Sequence, residues 1–237
     1  MTTFCFVHGA WHDAWSWKWL IAELDQFGHH AIAVELPCED PEATFETYAE
    51  VVAASLSQAP DDLVLVGHSL AGLSVPLVAS LRPVGRIVFL CALLAAPGRS
   101  FVEQLQDEPD MIRVRYKDGL AEDERGRTRW VNFDIAREVM YADCGEEIAR
   151  AAFDHLRPQS KNVPYSQRNE LDALPNVPMT YVICEEDQLV NPAWARQAVP
   201  ERLGIEPDFL PGGHSPFLSR PRDLARLLSE RTQTLPL

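Results

Sequence analysis

The chain alternates short apolar runs with longer segments in which apolar residues recur at helical spacing, a pattern that predicts parallel strands joined by helices on both faces of a sheet. The first run, Thr3 to Val7, ends in His8-Gly9-Ala10. From Ala14 to Phe27, residues Trp17, Leu20, Ile21 and Leu24 share one helical face, and Gly28 ends the helix. A strand over His30 to Leu36, a helix over Thr44 to Ser57 and a strong strand over Leu63 to Val66 follow. A helix from Ser69 to Leu81 and a strand from Arg86 to Cys91 complete the first half.

From Leu94 to Asp172 the pattern changes. Charge gathers in residues 104–110, 117–129 and 145–150, and strand-like runs disappear. Structureless loops of that length are rare in compact domains, so the segment is expected to be a helical insertion. Alternation resumes with a strand over Met179 to Cys184, a helix near Ala193 to Val199, a strand over Gly204 to Leu210 and a closing helix over Arg222 to Glu230. The expected organisation is a core of residues 1–93 and 173–237, interrupted by a helical cap of residues 94–172.

Composition narrows the function classes. A chain of 237 residues with 46% hydrophobic content can bury one sizeable core. Thirty-five acidic against 21 basic side chains leave a net charge of −14, which repels a phosphate backbone and an anionic bilayer and favours solubility. Neither nucleic acid nor membrane is therefore an expected partner. No stretch approaches the roughly 20 apolar residues of a membrane span, and MTTFCFVHGA lacks the features of a signal peptide, so a cytoplasmic location is expected. Cys5, Cys38, Cys91, Cys144 and Cys184 are scattered singly and read as reduced core thiols.

The chemistry begins in VGHSLAG. A serine at a sharp strand-to-helix turn needs neighbours without bulky side chains, and Gly67 and Ala71 flank Ser69 two positions away on either side, with Gly72 following. This is the G-x-S-x-G elbow with alanine in place of the second glycine. Such a turn lifts the hydroxyl clear of the sheet and leaves the Leu70 amide free to hold an oxyanion. The plainer alternative is that Ser69 caps the helix.

A serine nucleophile needs a base, and His214 in PGGHSPFLSRP stands in a loop between a strand and the last helix. The imidazole needs a carboxylate to fix its tautomer. CEEDQLVNP offers Asp187, with Glu186 as the main rival. The order Ser69, Asp187, His214 is that of α/β-hydrolase triads. The second oxyanion donor is expected from the loop after the first strand, where Gly9 allows close approach and Ala10 supplies the amide. His8 and His12 lie four apart but outside a helix, a spacing that does not define a metal site. Trp11, Trp130 and Phe217 are candidate pocket walls, together with Gly9.

FVHGAWHDAWSW, VGHSLAG, CEEDQLVNP and PGGHSPFLSRP together resemble the α/β-hydrolase superfamily. The closer likeness is to the branch holding plant methyl-ester hydrolases of the salicylate-binding type, hydroxynitrile lyases and bacterial carboxylesterases. The resemblance spans roughly residues 2–93 and 173–234 and implies an α/β-hydrolase fold, a mostly parallel sheet with a lid inserted after the sixth strand of the family's count. It also implies Ser69 as nucleophile, His214 as base, Asp187 as its partner, the Ala10 and Leu70 amides as oxyanion hole, and no cofactor or metal. The lyases of this branch carry threonine and lysine where this chain has Gly9 and Ser215, and dehalogenases carry a carboxylate where Ser69 stands. The expected activity is therefore hydrolysis of a small-molecule carboxylic ester through an acyl-enzyme. C–C bond hydrolysis, lactone opening, thioester cleavage and a receptor-like binding role use the same scaffold and stay open, as does assembly into a homodimer.

Overall fold

The computed structural model describes residues 1–161 and 165–233. Its centre is a parallel sheet built from β1 (Thr3–Val7), β2 (His30–Val34), β3 (Val64–His68), β4 (Arg86–Leu90), and the later strands Met179–Cys184 and Asp208–Leu210. The strand order is β2, β1, β3, β4, then those two. Every residue of β3 and β4 is buried, which is why VLVGH and RIVFL read as unbroken runs rather than alternating ones.

Helices cover both faces. Helix α1 (Lys18–Gln26) packs against the closing helix Pro221–Gln233, whereas α2 (Phe45–Ser55) packs against α3 (Val75–Leu81). Thr44 caps α2 by accepting the Thr47 amide through its side chain. The expected helix from Ser69 to Leu81 is divided: a 3₁₀ turn covers Ser69–Leu73, and α3 begins only at Val75.

Register brings distant segments together. Val7 pairs with Gly67, so the loops after β1 and β3 leave the sheet side by side. Cys184 pairs with Leu210, so the loops carrying Asp187 and His214 leave the same edge as neighbours. All six strands are parallel, so these four loops gather at one edge, where open α/β sheets bind their ligands.

The segment between β4 and Met179 corrects the all-helical expectation. It contains α4 (Phe101–Asp107), α5 (Phe133–Met140) and α6 (Glu146–Asp154), but also a three-stranded sheet of β5 (Leu120–Glu122), β6 (Arg127–Trp130) and β7 (Gln159–Ser160). The hairpin of β5 and β6 turns at Gly126, with φ 73°. Its strands are short and partly exposed, so Glu122, Arg127 and Arg129 occupy them and the apolar signature of a strand is lost. This sheet is stitched to the core: the Ser160 amide donates to the Cys38 carbonyl and the Arg157 amide to the Trp11 carbonyl, both at 2.7 Å.

The later elements are β8 (Met179–Cys184), α7 (Pro192–Leu203), β9 (Asp208–Leu210), the short α8 (Pro216–Ser219) and α9 (Pro221–Gln233). Strand β9 starts four residues later than the sequence pattern implies, because Gly204 takes a left-handed conformation (φ 65°) that closes α7. All five cysteines are free and buried. No helix among the described residues is long and apolar enough to cross a membrane.

Candidate active site

Ser69 follows β3 directly and has φ 53°, a left-handed conformation that a non-glycine residue adopts at a cost of about 1–3 kcal/mol. It does not cap a helix: His68 occupies the cap position and no side chain bonds there. The surroundings enforce the strain. A Cβ at Gly67 would lie 2.8 Å from a Val75 methyl, and one at Gly72 would overlap the Leu93 carbonyl oxygen. The glycine that close packing demands is thus Gly72, which leaves Ala71 free to carry a methyl group at the position usually held by glycine.

Gly9 packs behind the elbow, where a Cβ would lie 2.8 Å from that of Ser69. The next two residues, Ala10 and Trp11, face the cavity beside Ser69 and Leu70. Trp11 itself has φ 62°, which turns the loop back toward the site. As the second residue of a 3₁₀ turn, Leu70 has no acceptor within that turn for its amide. The Ala10 amide donates to no other loop or turn carbonyl among the described residues.

Three buried histidines surround this loop, and their partners set their tautomers. His8 accepts the Leu36 amide at Nε2 (3.1 Å), so its Nδ1 carries the proton and donates to the Gly9 carbonyl (2.9 Å). That carbonyl belongs to the same trans peptide as the Ala10 amide, so holding its oxygen on one side directs the N–H to the other. His12 donates from Nδ1 to the Ala10 carbonyl and accepts from the Tyr141 hydroxyl, both at 3.1 Å. Burial lowers His8 to a pKa of about 4 and His12 to about 3, and drives His68 well below its ordinary value. With both ring nitrogens of His8 and His12 engaged, neither is arranged as a metal ligand, and no cluster of potential metal ligands occurs among the described residues.

His214 is buried, and its Nδ1 donates to Asp187 Oδ2 at 2.8 Å. The carboxylate is itself fixed: Oδ1 accepts the amides of Leu189 (2.7 Å) and Val190 (3.1 Å). Glu185 and Glu186 both point outward, and Glu185 pairs with Arg196. Of the three acids after β8, only Asp187 meets the imidazole. With Nδ1 protonated, the lone pair of His214 is on Nε2. His68, the residue before Ser69, donates from Nε2 to the His214 carbonyl at 2.9 Å, which ties the two loops together. No hydrogen bond joins Ser69 to His214 among the described residues; in unliganded sites such contacts are often long.

Above Ser69 lies a cavity of about 520 Å³. Leu70, Leu93, Leu189 and Val190 line it from the core, while Phe101, Leu105 and Ile112 line it from the inserted segment. Of the candidate wall residues, Trp11 lines this cavity, its indole donating to Thr128 at 3.0 Å. Three do not. Gly9 lies beneath the elbow, Trp130 stacks edge-on behind Trp11 at 5.7 Å, and Phe217 is fully buried against His68 and Trp17. Both aromatics support the walls from behind. Leu189 and Val190 adjoin Asp187 in sequence and were findable by that adjacency; the walls from the insertion carry no motif.

A strained Ser69 elbow, a buried His–Asp pair and two loop amides at the carboxyl edge of a parallel sheet form the arrangement expected of an α/β-hydrolase. The chain belongs to the alpha/beta hydrolase family, whose model matches residues 6–227. It is similar to a pyrethroid hydrolase of Sphingobium wenxiniae, with 27% identity over 97% of this chain and 87% of that protein. Methylesterase 2 of Arabidopsis thaliana is 26% identical over 94% of this chain and 92% of its own length. Among solved structures, a pyrethroid hydrolase from Sphingobium faniae superposes with a TM-score of 0.81 at 23% identity, covering 98% of both chains.

Proposed function

We propose that this chain is a serine esterase that cleaves small-molecule carboxylic esters through an acyl-enzyme. The observation that carries the reading is the strained Ser69 elbow coupled, through His68, to a His214–Asp187 pair with its lone pair on Nε2. Names of the relatives, methylesterase, probable esterase and pyrethroid hydrolase, support the ester bond as the target. The cavity volume lies in the range that holds a small organic molecule.

In this mechanism Ser69 Oγ attacks the ester carbonyl carbon as His214 Nε2 takes its proton. Negative charge develops on the former carbonyl oxygen, which the Ala10 and Leu70 amides receive. Collapse expels the alcohol, protonated by His214, and leaves Ser69 acylated. A water that gives its proton to His214 then attacks the acyl carbon, and the acid departs as Ser69 regains its proton. Asp187 keeps the imidazole in its tautomer and stabilises the imidazolium without itself taking the proton.

The test is acid release from a panel of p-nitrophenyl and methyl esters of graded acyl size, by the parent and by Ser69→Ala. Turnover by the parent that falls at least about 10³-fold in the variant is expected. Equal activity in the two proteins, or a folded parent inert on every ester, overturns the esterase reading.

A further inference from the structure

The cavity is apolar near Ser69, but its charged lining is lopsided. Three charged side chains face it, Lys117, Glu122 and Lys161. Glu122 and Lys161 neutralise each other across a 2.5 Å ion pair. Lys117 has neither an ion pair nor a side-chain hydrogen bond among the described residues, although its neighbour Asp118 is engaged by Arg115 at 2.7 Å. Lys117 lines the cavity while remaining exposed to solvent, in a chain whose net charge is −14.

Two phenols line the same cavity. Tyr116 and Tyr165 line the cavity close enough to influence each other, and among the described residues no side-chain hydrogen bond occupies either hydroxyl. Burial raises the pKa of both, so each remains a protonated donor. The ammonium of Lys117 donates only. The lining thus holds one ammonium and two phenols that no side-chain hydrogen bond occupies among the described residues, and a ligand bringing acceptor atoms and negative charge complements them.

We propose that this cavity selects esters whose apolar body ends, away from the scissile bond, in a carboxylate received by Lys117 with Tyr116 and Tyr165. The proposal rests on the esterase reading and names the substrate class within it: half-esters of dicarboxylic acids, or esters with a free carboxyl group on the far end. Lys117 is a specificity residue in this account. It lies outside the elbow and the His–Asp pair, so it acts on binding of the far end of the substrate and not on the bond-breaking step.

Two measurements test it. The first compares half-methyl esters of dicarboxylic acids of increasing length with neutral methyl esters of matching length, using the parent and Lys117→Met. The parent is expected to show a lower KM for the half-ester at the length that spans the cavity. Lys117→Met should raise that KM about five- to tenfold relative to the KM of the neutral ester of matching length, the scale of a partly exposed charged hydrogen bond, with the effect in KM rather than kcat. Added salt should erode the preference in the parent and not in the variant. The second measurement is calorimetric binding of free dicarboxylates and monocarboxylates to Ser69→Ala, with and without Lys117→Met. There the dicarboxylate preference should vanish with the lysine. Preference for neutral esters at every length, or equal effects of Lys117→Met on neutral and anionic compounds, overturns the proposal. If no ester is turned over, the esterase reading fails, and the calorimetry still decides the anion site.

Discussion

His68 donates from Nε2 to the backbone carbonyl of His214 at 2.9 Å, so the residue preceding the candidate nucleophile holds the main chain of the candidate base. The ring is buried between Trp17, Phe217 and His214, and it is neutral because burial depresses its pKa strongly. His68→Ala removes the tether and leaves a hole beside His214. About tenfold to 10²-fold loss in kcat is expected, with a smaller change in KM, because misplacing a base by a fraction of an ångström costs that much. His68→Gln presents an amide donor near the position of Nε2 and should recover much of the loss. Steady-state kinetics on both variants check this, and equal defects in the two would show that packing rather than the hydrogen bond matters.

Asp187 meets His214 at 2.8 Å through one oxygen and the Leu189 and Val190 amides through the other. Asp187→Asn keeps the shape. The amide oxygen can still serve those two backbone donors, which turns the NH₂ group toward His214 and forces the imidazole into the opposite tautomer, with its proton on Nε2. A fall in kcat of about 10⁴ with a nearly unchanged unfolding temperature is expected. Retention of more than a tenth of the parent kcat would remove Asp187 from the mechanism.

Gly72 lies where any Cβ would overlap the Leu93 carbonyl oxygen, and that main chain is itself held by the Ser69 carbonyl, which accepts the Leu93 amide at 3.0 Å. Gly72→Ala should therefore destabilise by about 3 kcal/mol or more, near the upper end of overpacking costs. Ala71→Gly, which restores the usual elbow glycine, should cost about 1 kcal/mol at most. Urea unfolding of both variants distinguishes the two positions, and a Gly72→Ala protein as stable as the parent would contradict the packing described.

Acid should unfold this protein through its buried histidines. In the unfolded chain a histidine titrates near 6.5, whereas His8 and His12 in the fold sit at about 4 and about 3. Between those values the unfolded state binds more protons, so stability rises with pH there and is lost as pH falls from 6.5 toward 4. Each histidine contributes a slope of about 1.4 kcal/mol per pH unit in that window. Melting temperatures measured from pH 7 to pH 4.5 should drop steeply below pH 6; a flat profile would mean these imidazoles accept protons within the fold.

Much of the core was legible in the chain because parallel strands buried on both faces must be apolar throughout, and β1, β3, β4 and β8 have that character. The three loops bearing Ser69, Asp187 and His214 could be placed because each follows such a strand and carries residue types with few other uses there. The choice between Glu186 and Asp187 was not legible. It depends on which side chain turns inward after Cys184, and that is decided by the Asp187 carboxylate closing onto the Leu189 and Val190 amides.

Sequence alone determined the order of the candidate loops, VGHSLAG before CEEDQLVNP before PGGHSPFLSRP, and the apolar pattern that makes a parallel sheet, because both are properties of local residue type. Tertiary structure alone decided what surrounds that chemistry. Trp130 and Phe217 turned out to be supports and not walls, the charged hairpin of β5 and β6 became part of a sheet, and Lys117 came to line the cavity with no ion pair among the described residues. These outcomes depend on contacts between residues far apart in the chain, and no local periodicity encodes which side of a packed layer a side chain will occupy.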